Sequence, residues 1–477
     1  MNRYKFLASV VLIVGIIGIN HNLRAQNDYD VLRFSTTYHG GTARVIGMGG
    51  AFSALGSDIS AVGINPAGLG LYRSSDANIT FGYNINSTEA SFLGEKTTDD
   101  YFGFEVNSAG MVLSFPNYDN YTSGLGRICT NMAISFSRVN SYNQNLSASG
   151  RSNNHTYLSS VPYFGQTIFD FFLGTDLIYK DASGEIRNDF DDHGVYQQSQ
   201  IFELRQRGYV NDFNLAFGFN ESNKLYYGFS VGLVSMSHDE DWWLAEVDDQ
   251  YLTPFIDSFD YINKYRRRGF GVNLKAGLMY QIGTSTKVSL AVHTPTILNI
   301  DEDWDQILCT DYDNGYYYDS IALYALDYTV VTPTKLVVGA SYLINNMVLL
   351  SADYEGTAFR AMRLMSNSGS YSDINQDIRD YYQWRHAVRF GAEVKLGFVS
   401  LRGGGFYYSS PLKSSAEEVT TYGYSAGLGF RSGNFYIDAA FQNMIQSSNI
   451  YIDGTHAMKV GIDNTRTNVI ATVGFRF

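Results

Sequence analysis

Three arginines in the C-terminal quarter of the chain are the side chains best suited to bind an anionic ligand. Arg385, Arg389 and Arg402 lie in segments where apolar and polar residues alternate. A guanidinium group offers a planar fork of donors that matches a carboxylate, so each is a candidate to bind the carboxylate of a ligand. The alternative is that they pair with acids of the protein itself, because buried charges need partners. The sequence leaves both interpretations open.

Other charged residues fall on the same face of the alternating segments. Successive side chains of a strand point to opposite faces, so one face of each segment is apolar and the other is polar or small. If the apolar faces point outwards, an inward-facing charged set follows: Lys275, Lys335, Arg385, Arg389, Arg402, Arg476, Asp212, Asp353, Glu355, Glu393 and Asp438. Cations and acids of this set can pair across a wet interior and support whatever fills it.

Catalytic and metal-binding patterns are missing from the sequence. It contains no HExxH, GxSxG or P-loop motif, and Gly47-Met48-Gly49-Gly50 is not a dinucleotide-binding GxGxxG pattern. The eight histidines are scattered, and a lone one such as His293 is more often structural than catalytic. Segment 311–315 resembles a calcium loop, but its Gly comes one place early and the required Glu is missing. We therefore expect no enzyme activity, no metal and no cofactor.

Charge and cysteine content narrow the class of protein further. With 47 acidic and 34 basic residues the formal net charge is −13. No basic run could neutralise phosphates, so we expect no nucleic-acid partner. Acids concentrate in segments 239–260 and 301–319. Cys129 and Cys309 fall at opposite ends of the architecture predicted below, so we expect two separate thiols.

The first 25 residues have the layout of a secretory signal peptide. Arg3 and Lys5 form a positive region, Phe6 to Ile19 an apolar stretch, and Leu23-Arg24-Ala25 a plausible cleavage site. The apolar stretch is too short to span a membrane comfortably. We predict cleavage near Ala25 and secretion of the remainder.

From about residue 74 to Phe477 one pattern repeats: an alternating segment of about ten residues, then a turn or loop. Fourteen such segments are predicted as strands at 76–86, 108–115, 131–140, 209–219, 224–236, 267–281, 286–297, 328–343, 347–362, 384–395, 398–408, 421–431, 434–443 and 467–477. An even number of strands is typical of a closed barrel. A soluble β-sandwich also alternates, but it rarely needs long loops at one end.

The connections between these strands alternate in length, with one medium exception at 116–130. Short turns follow every second strand, and the other connections are long: 87–107, 141–208, 237–266, 298–327, 363–383, 409–420 and 444–466. Outer-membrane barrels show this asymmetry between periplasmic turns and outer loops. The last strand ends on the aromatic residues Phe475 and Phe477, as such barrels usually do. We therefore predict an all-β fold: a 14-stranded antiparallel transmembrane β-barrel.

The segment before the barrel carries the most specific motif. Residues 26–73 are rich in glycine and contain Gly47-Met48-Gly49-Gly50-Ala51-Phe52 and Asn65-Pro66-Ala67-Gly68-Leu69. Together with the barrel pattern, this segment resembles the FadL/TodX family of outer-membrane transporters for long-chain fatty acids and aromatic hydrocarbons. The resemblance implies a signal peptide at 1–25, an N-terminal hatch (plug) at 26–73 inside the lumen, and a barrel at 74–477.

The resemblance also implies passive uptake of hydrophobic small molecules, with Asn65, Pro66, Ala67, Gly68 and Phe52 as ligand or hatch residues. Family members take ligand between outer loops, bind it in the lumen and release it through the wall. Strand 131–140 has no Gly or Pro to mark such an opening. The long 141–208 connection contributes candidates for first capture of ligand, or for packing between loops: Phe169, Phe171 and Phe172.

The function expected from the sequence is therefore transport in the outer membrane of a Gram-negative bacterium. The ligand class is open between a fatty acid, an aromatic hydrocarbon and a haem-like molecule. We expect contacts with outer-membrane lipid and lipopolysaccharide, and a monomer, because a closed barrel has no free edge. The alternative function is a surface binding or adhesion barrel that uses its long acidic loops.

Overall fold

The computed structural model describes residues 28–194, 196–312, 315, 317–366, 371–413, 419–454 and 457–477. The predicted signal peptide at 1–25 lies outside the described residues, as does part of the calcium-like segment 311–315. None of the helices in the described part of the chain is long and apolar enough to cross a membrane.

Strands make up most of the described chain. In chain order they are β1 Asp76–Phe92, β2 Glu95–Pro116, β3 Arg127–Ser141, β4 Gln144–Arg151, β5 Tyr179–Lys180, β6 Ile186–Arg187, β7 Ser199–Glu221, β8 Leu225–Val247, β9 Ile256–Ile282, β10 Thr286–His293, β11 Ile297–Tyr312, β12 Tyr317–Val331, β13 Lys335–Ile344, β14 Val348–Ala358, β15 Arg363–Met365, β16 Trp384–Leu396, β17 Val399–Tyr408, β18 Thr421–Ser432, β19 Phe435–Tyr451 and β20 Lys459–Arg476. The helices are α1 Asp28–Ser35, α2 Ala43–Gly47, α3 Ala61–Ile64, α4 Tyr118–Ser123, α5 Tyr157–Ser160, α6 Gln166–Leu173, α7 Asp189–His193 and α8 Ser372–Tyr381, with 3₁₀ turns at Pro66–Leu71, Val161–Tyr163 and Phe359–Ala361.

Fourteen of these strands close into one antiparallel barrel, which confirms the predicted fold. Their order around the barrel is β1-β2-β3-β7-β8-β9-β10-β13-β14-β16-β17-β18-β19-β20, and β20 pairs back to β1. Five short turns lie at one end, and the two-residue turn at 93–94 joins β1 to β2 at the other end. Asn345 and Asn346 show why they are tight: both have positive φ, 49° and 56°, as a two-residue hairpin turn requires.

Several predicted strand ends and loops were wrong. Predicted loop 87–107 belongs to β1 and β2, and much of 237–266 belongs to β8 and β9. Most of 298–327 forms the hairpin β11–β12, which pairs with the outer half of β9. The ladder hydrogen bonds continue there, but the apolar-out pattern stops where the strands leave the membrane. Predicted strand 286–297 stops at His293, before Pro295, and 328–343 is interrupted by Pro333; a proline cannot donate to the ladder.

An exposed apolar band surrounds the barrel. On β9, Leu274, Leu278 and Tyr280 point outwards and are about half exposed. Beyond this band the outward positions of β9 become Arg268 and Arg266, which are also exposed. A band of apolar side chains with charge at its border is typical of a transmembrane barrel.

The outer end of the barrel is covered by a cap. The predicted loop 141–208 folds into β4, α5, α6 and α7, which pack on the extended strands. Its core is apolar and fully buried at Leu158, Phe172 and Phe190, together with Phe202 of β7. The cap is therefore a packed layer over the outer mouth.

Candidate functional site

The Asn-Pro-Ala-Gly motif fastens the N-terminal segment inside the barrel. Asn65 is buried, and its Nδ2 donates to the carbonyl oxygens of Ser53 at 2.9 Å and Leu278 at 3.3 Å. Its Oδ1 accepts from the Ala67 backbone N–H at 3.1 Å and caps the 3₁₀ turn. Pro66 occupies the first position of that turn, where its missing N–H costs nothing. The motif is thus both a turn and an anchor to β9.

Glycines of the barrel wall make room for this motif. A Cβ at Gly277 would lie 1.8 Å from Asn65 Oδ1, and one at Gly228 would lie 2.5 Å from the Pro66 oxygen. A Cβ at Gly218 would lie 2.4 Å from the Leu69 side chain. A side chain at any of these three positions would force its neighbours to shift. The wall of β7, β8 and β9 is therefore shaped to fit residues 65–69.

The Gly47-Met48-Gly49-Gly50 segment fits the opposite wall in the same way. Gly49 and Gly50 have φ values of 63° and 73°, a conformation that favours glycine. The Gly49 N–H donates to Ser425 Oγ at 3.0 Å. A Cβ at Gly404 of β17 would lie 2.2 Å from the Gly49 nitrogen. Residues 28–72 thus contact both sides of the lumen, and we name them the hatch.

Buried carboxylates of the wall hold the hatch in place. Asp353 Oδ2 accepts from the backbone N–H groups of Phe52 at 2.8 Å and Ser53 at 2.9 Å. Glu393 accepts from Arg44 of α2 at 3.0 Å. Phe52, a predicted ligand or hatch residue, is fully buried beneath the Arg44 guanidinium. Its surroundings make it part of the hatch core.

The predicted inward-facing charges do point into the lumen, and most form pairs. Arg389 donates to Glu355 at 2.9 Å. Arg402 donates to Glu393 at 2.7 Å and to Asp438 at 2.5 Å. Arg385 donates to the Thr37 carbonyl at 3.2 Å and lies 3.8 Å from Glu355. In this geometry the three arginines contact acids and a carbonyl group of the protein itself. Most of their hydrogen-bonding capacity is therefore used before any ligand binds.

A cavity of about 110 Å³ lies between the hatch and the wall of the barrel, and we name it the lumenal cavity. Its apolar lining consists of Phe34, Ile64, Val139, Val210, Val234, Leu298 and Val337. Its charged or titratable lining includes Asp212, Lys275, His293, Lys335, Glu355 and Arg389. His293 Nε2 donates to the Ile64 carbonyl at 3.0 Å, so this histidine is a hatch contact, in agreement with its structural interpretation. Sequence reasoning missed the hatch-derived lining, Phe34 and Ile64.

Two lysines of the lumenal cavity differ in how they are paired. Lys275 donates to Asp212 at 2.5 Å and to Asn214 at 2.6 Å. Lys335 contacts the Thr37 hydroxyl, and among the described residues it forms no ion pair. Lys335 is therefore the cation of the cavity with the most capacity left for an anionic ligand.

An ionic cluster attaches α1 to the outer part of the lumen, and we name it the α1 latch: Asp30, Arg33, Glu240, Arg267 and Glu302. Arg267 is almost fully buried, and its nitrogens lie 2.6 Å from Glu302 and 3.6 Å from Asp30. Arg33 of α1 lies 2.9 Å from Glu240. The sequence neighbours of Glu240 and Arg267 that point outwards, Asp239, Arg266 and Arg268, are charged and exposed. This places the latch just beyond the apolar band. Burial alone would raise the pKa of Glu240, but the neighbouring guanidinium groups of Arg33 and Arg267 lower it to about 2.

The outer-loop capture candidates lie in the cap. Phe172 is fully buried, with its ring centroid 5.0 Å from that of Tyr261 and 5.9 Å from that of Tyr157. Phe169 and Phe171 are partly buried against the same core. Phe172 thus follows the second sequence interpretation, packing between loops. The two thiols lie far apart as expected, with Cys129 in β3 near the short turns and Cys309 in the outer part of β11.

Comparison with solved structures finds barrels with the same fold. The Pseudomonas putida toluene transporter TodX superposes with a TM-score of 0.56 at 13% identity, over 92% of this chain and 99% of that one. A Pseudomonas aeruginosa FadL homologue gives 0.56 at 11% identity, over 93% and 99%. The Ralstonia pickettii toluene transporter TbuX gives 0.53 at 17%, over 92% and 99%. No family model and no curated protein matches the sequence. At these identities the likeness is one of fold, and it confirms the fold that the sequence resemblance implied.

Proposed function

We propose that this protein is an outer-membrane channel for the passive uptake of hydrophobic small molecules. The observation that carries the proposal is a barrel whose lumen is occupied by a docked hatch yet keeps a cavity beside it that is lined in part by apolar side chains. A water-filled porin offers an apolar solute no favourable path, because the solute must stay in water. A lumen that excludes bulk water and offers apolar side chains gives such a solute a place to bind.

The lumenal cavity suggests the size and chemistry of the ligand. Its volume of about 110 Å³ is of the same order as the roughly 150 Å³ apolar cavity that binds benzene. It can therefore accept a single aromatic ring or one end of an alkyl chain. Lys335, which has no ion pair among the described residues, is placed to bind a carboxylate at the edge of the cavity. Arg389 could do so only by giving up Glu355.

Uptake of two probes tests this function. Gram-negative cells lacking their own transporter would express the wild type, Lys335→Met, or the control Lys224→Met in an exposed turn at the short-turn end. We expect wild-type cells to take up both labelled toluene and labelled oleate. Lys335→Met should lower oleate uptake about tenfold, equivalent to about 1.4 kcal/mol of binding, because the carboxylate loses its cation. Toluene uptake should not change.

Heat-modifiable gel mobility would confirm that each variant assembles. If an assembled wild-type barrel takes up neither probe, the proposed function is wrong, and binding of partners by the acidic outer surface becomes the function to test. If Lys335→Met lowers both probes equally, the lysine supports the fold and does not recognise a carboxylate.

A further inference from the structure

The hatch leaves a second space open at the short-turn end of the barrel. Residues 65–69 dock against β7, β8 and β9, on one side of the lumen. On the other side a pocket of about 380 Å³ lies between the hatch and the ends of β10, β13, β14 and β16 to β20. We name it the short-end pocket. The hatch contributes Arg44, Leu55, Gly56, Ser57 and Leu71 to its lining.

The short-end pocket concentrates positive charge in a chain that is acidic overall. Six cations line it: Arg44, Lys287, Lys395, Arg402, Arg431 and Arg476. Three carboxylates pair with them: Glu393 and Asp438 in the lining, and Asp76, which lies 3.1 Å from Arg476. Asp58 is also close enough for its charge to act on Arg44, so the cations still outnumber the acids. The formal charge of the whole chain is −13, so this excess of cations is a local feature.

The three carboxylates are already shared among four of the cations. Glu393 alone lies within 4 Å of Arg44, Lys395 and Arg402. Among the described residues, Lys287 and Arg431 form no ion pair, although the Arg431 guanidinium lies 5.5 Å from the Tyr436 ring. A purely structural network would balance its charges, as Lys275 and Asp212 do in the lumen. Lys287 and Arg431 thus leave positive charge available to an outside anion.

Apolar side chains adjoin the cations: Leu55, Leu71, Leu343, Leu349, Phe398 and Phe430. Leu55 is buried, whereas Phe398 and Phe430 are exposed at the rim with ring centroids 5.6 Å apart. A small inorganic anion would gain nothing from this apolar lining. An amphiphile with an anionic head and a hydrocarbon chain would use both parts of the pocket.

We propose that the short-end pocket binds the anionic oxygen head group, carboxylate or phosphate, of an amphiphile, with Lys287 and Arg431 as its uncommitted cations. The head group can belong to a free long-chain acid or to a membrane phospholipid. Binding at this pocket does not require uptake, so the binding experiment below and the uptake experiment above test the two proposals independently.

Native mass spectrometry of the purified chain in maltoside micelles tests the proposal. Dissociation constants would be measured for oleate, oleyl alcohol, phosphatidylglycerol and phosphatidylcholine, each with and without inorganic phosphate as competitor. The variants are Lys287→Gln with Arg431→Gln, and the control pair Lys224→Gln with Arg266→Gln. The control removes the same charge from two exposed positions outside the pocket.

We expect at least one anionic amphiphile to bind more tightly than its uncharged or zwitterionic counterpart. The pocket double variant should raise the Kd of that anion about tenfold, and the control pair should leave it unchanged. If the pocket double variant binds oleate more weakly, the pocket recognises a carboxylate head group. If it binds phosphatidylglycerol more weakly, the pocket recognises a lipid phosphate. Competition by inorganic phosphate would show that the head group dominates. Equal binding of charged and uncharged probes, or a pocket variant that behaves as wild type, would overturn the proposal.

Discussion

Replacing Arg267 by alanine should be among the most destabilising single changes in this protein. The guanidinium lies among Asp30, Glu240 and Glu302 and is almost fully buried. Removing it leaves those carboxylates close together without their shared cation. Loss of one partner from a buried ionic group costs about 3–5 kcal/mol. The urea midpoint of the folded barrel, followed by gel mobility, should fall accordingly, and α1 should become accessible to protease.

The neighbouring residue provides a matched control. Arg266 is exposed, and its partner Asp305 lies 3.4 Å away. An exposed ion pair of this kind contributes about 1 kcal/mol or less. Arg266→Ala should therefore leave the urea midpoint nearly unchanged. Equal effects of the two substitutions would mean that the α1 latch contributes no special stability.

The α1 latch should also make the protein less stable in acid. The folded pKa of Glu240 is lowered to about 2, against an ordinary value of about 4.3. A carboxyl group with a depressed folded pKa stabilises the fold above its unfolded pKa, and this stabilisation is lost as the pH falls towards 2. Burial, with Arg33 nearby, lowers the pKa of His238 well below its usual value. Below about pH 6.5 the unfolded chain protonates this histidine while the folded protein keeps it neutral. The free energy of unfolding therefore begins to decrease as soon as the pH falls below about 6.5.

The test of this pH dependence is a comparison with Glu240→Gln. The wild-type urea midpoint should fall between pH 7 and pH 3, and the variant, although weaker at pH 7, should lose less over the same interval. A pH dependence that is identical in the two proteins would place the acid-sensitive groups elsewhere.

The barrel and its inward charges could be predicted from the sequence because strand geometry dictates them. Side chains alternate between the two faces of a strand, so once the apolar face is known to point outwards, Lys275, Asp353 and Arg389 must point inwards. The same rule did not identify β11 as a strand. Its residues contact the cap and solvent, so it lacks the apolar outward face that marks a membrane-spanning strand. It also could not decide whether Arg389 binds a ligand or Glu355, since periodicity gives a direction and not a partner.

The fit between hatch and wall was beyond sequence reasoning for a different reason. Asn65 and Leu278 are 213 residues apart, and nothing local to either specifies their contact. A signal did exist in the wall. Gly218, Gly228 and Gly277 stand at inward positions of predicted strands, and a glycine inside a strand often marks the close approach of another backbone. Read together, they mark the surface on which the hatch rests.

Adding one methyl group at Gly277 should weaken the docking of the hatch against the wall. The new Cβ of Gly277→Ala would lie 1.8 Å from Asn65 Oδ1 and 3.3 Å from Pro66 Cδ. The neighbours cannot move away freely, because Asn65 also holds Ser53 and Ala67. Overpacking of this kind costs about 1–3 kcal/mol, which lowers the ratio of docked to undocked hatch by about 5- to 150-fold. Single-channel conductance should rise, and cells should become sensitive to large polar antibiotics.

A double-substitution cycle separates this steric cause from general damage to the barrel. Asn65→Ala removes the atom that the new methyl group would strike, so combining it with Gly277→Ala should open the channel no further than Asn65→Ala alone. Gly403→Ala is the control, because a Cβ there has only the Ser425 oxygen near it, at 4.0 Å, and the channel should stay closed. Additive effects of the two substitutions, or opening by Gly403→Ala, would show that the seal does not depend on the fit of Asn65 against the wall. Non-additive effects would locate the seal at this one contact, where a side chain of the hatch fills the space that a glycine of the wall leaves open.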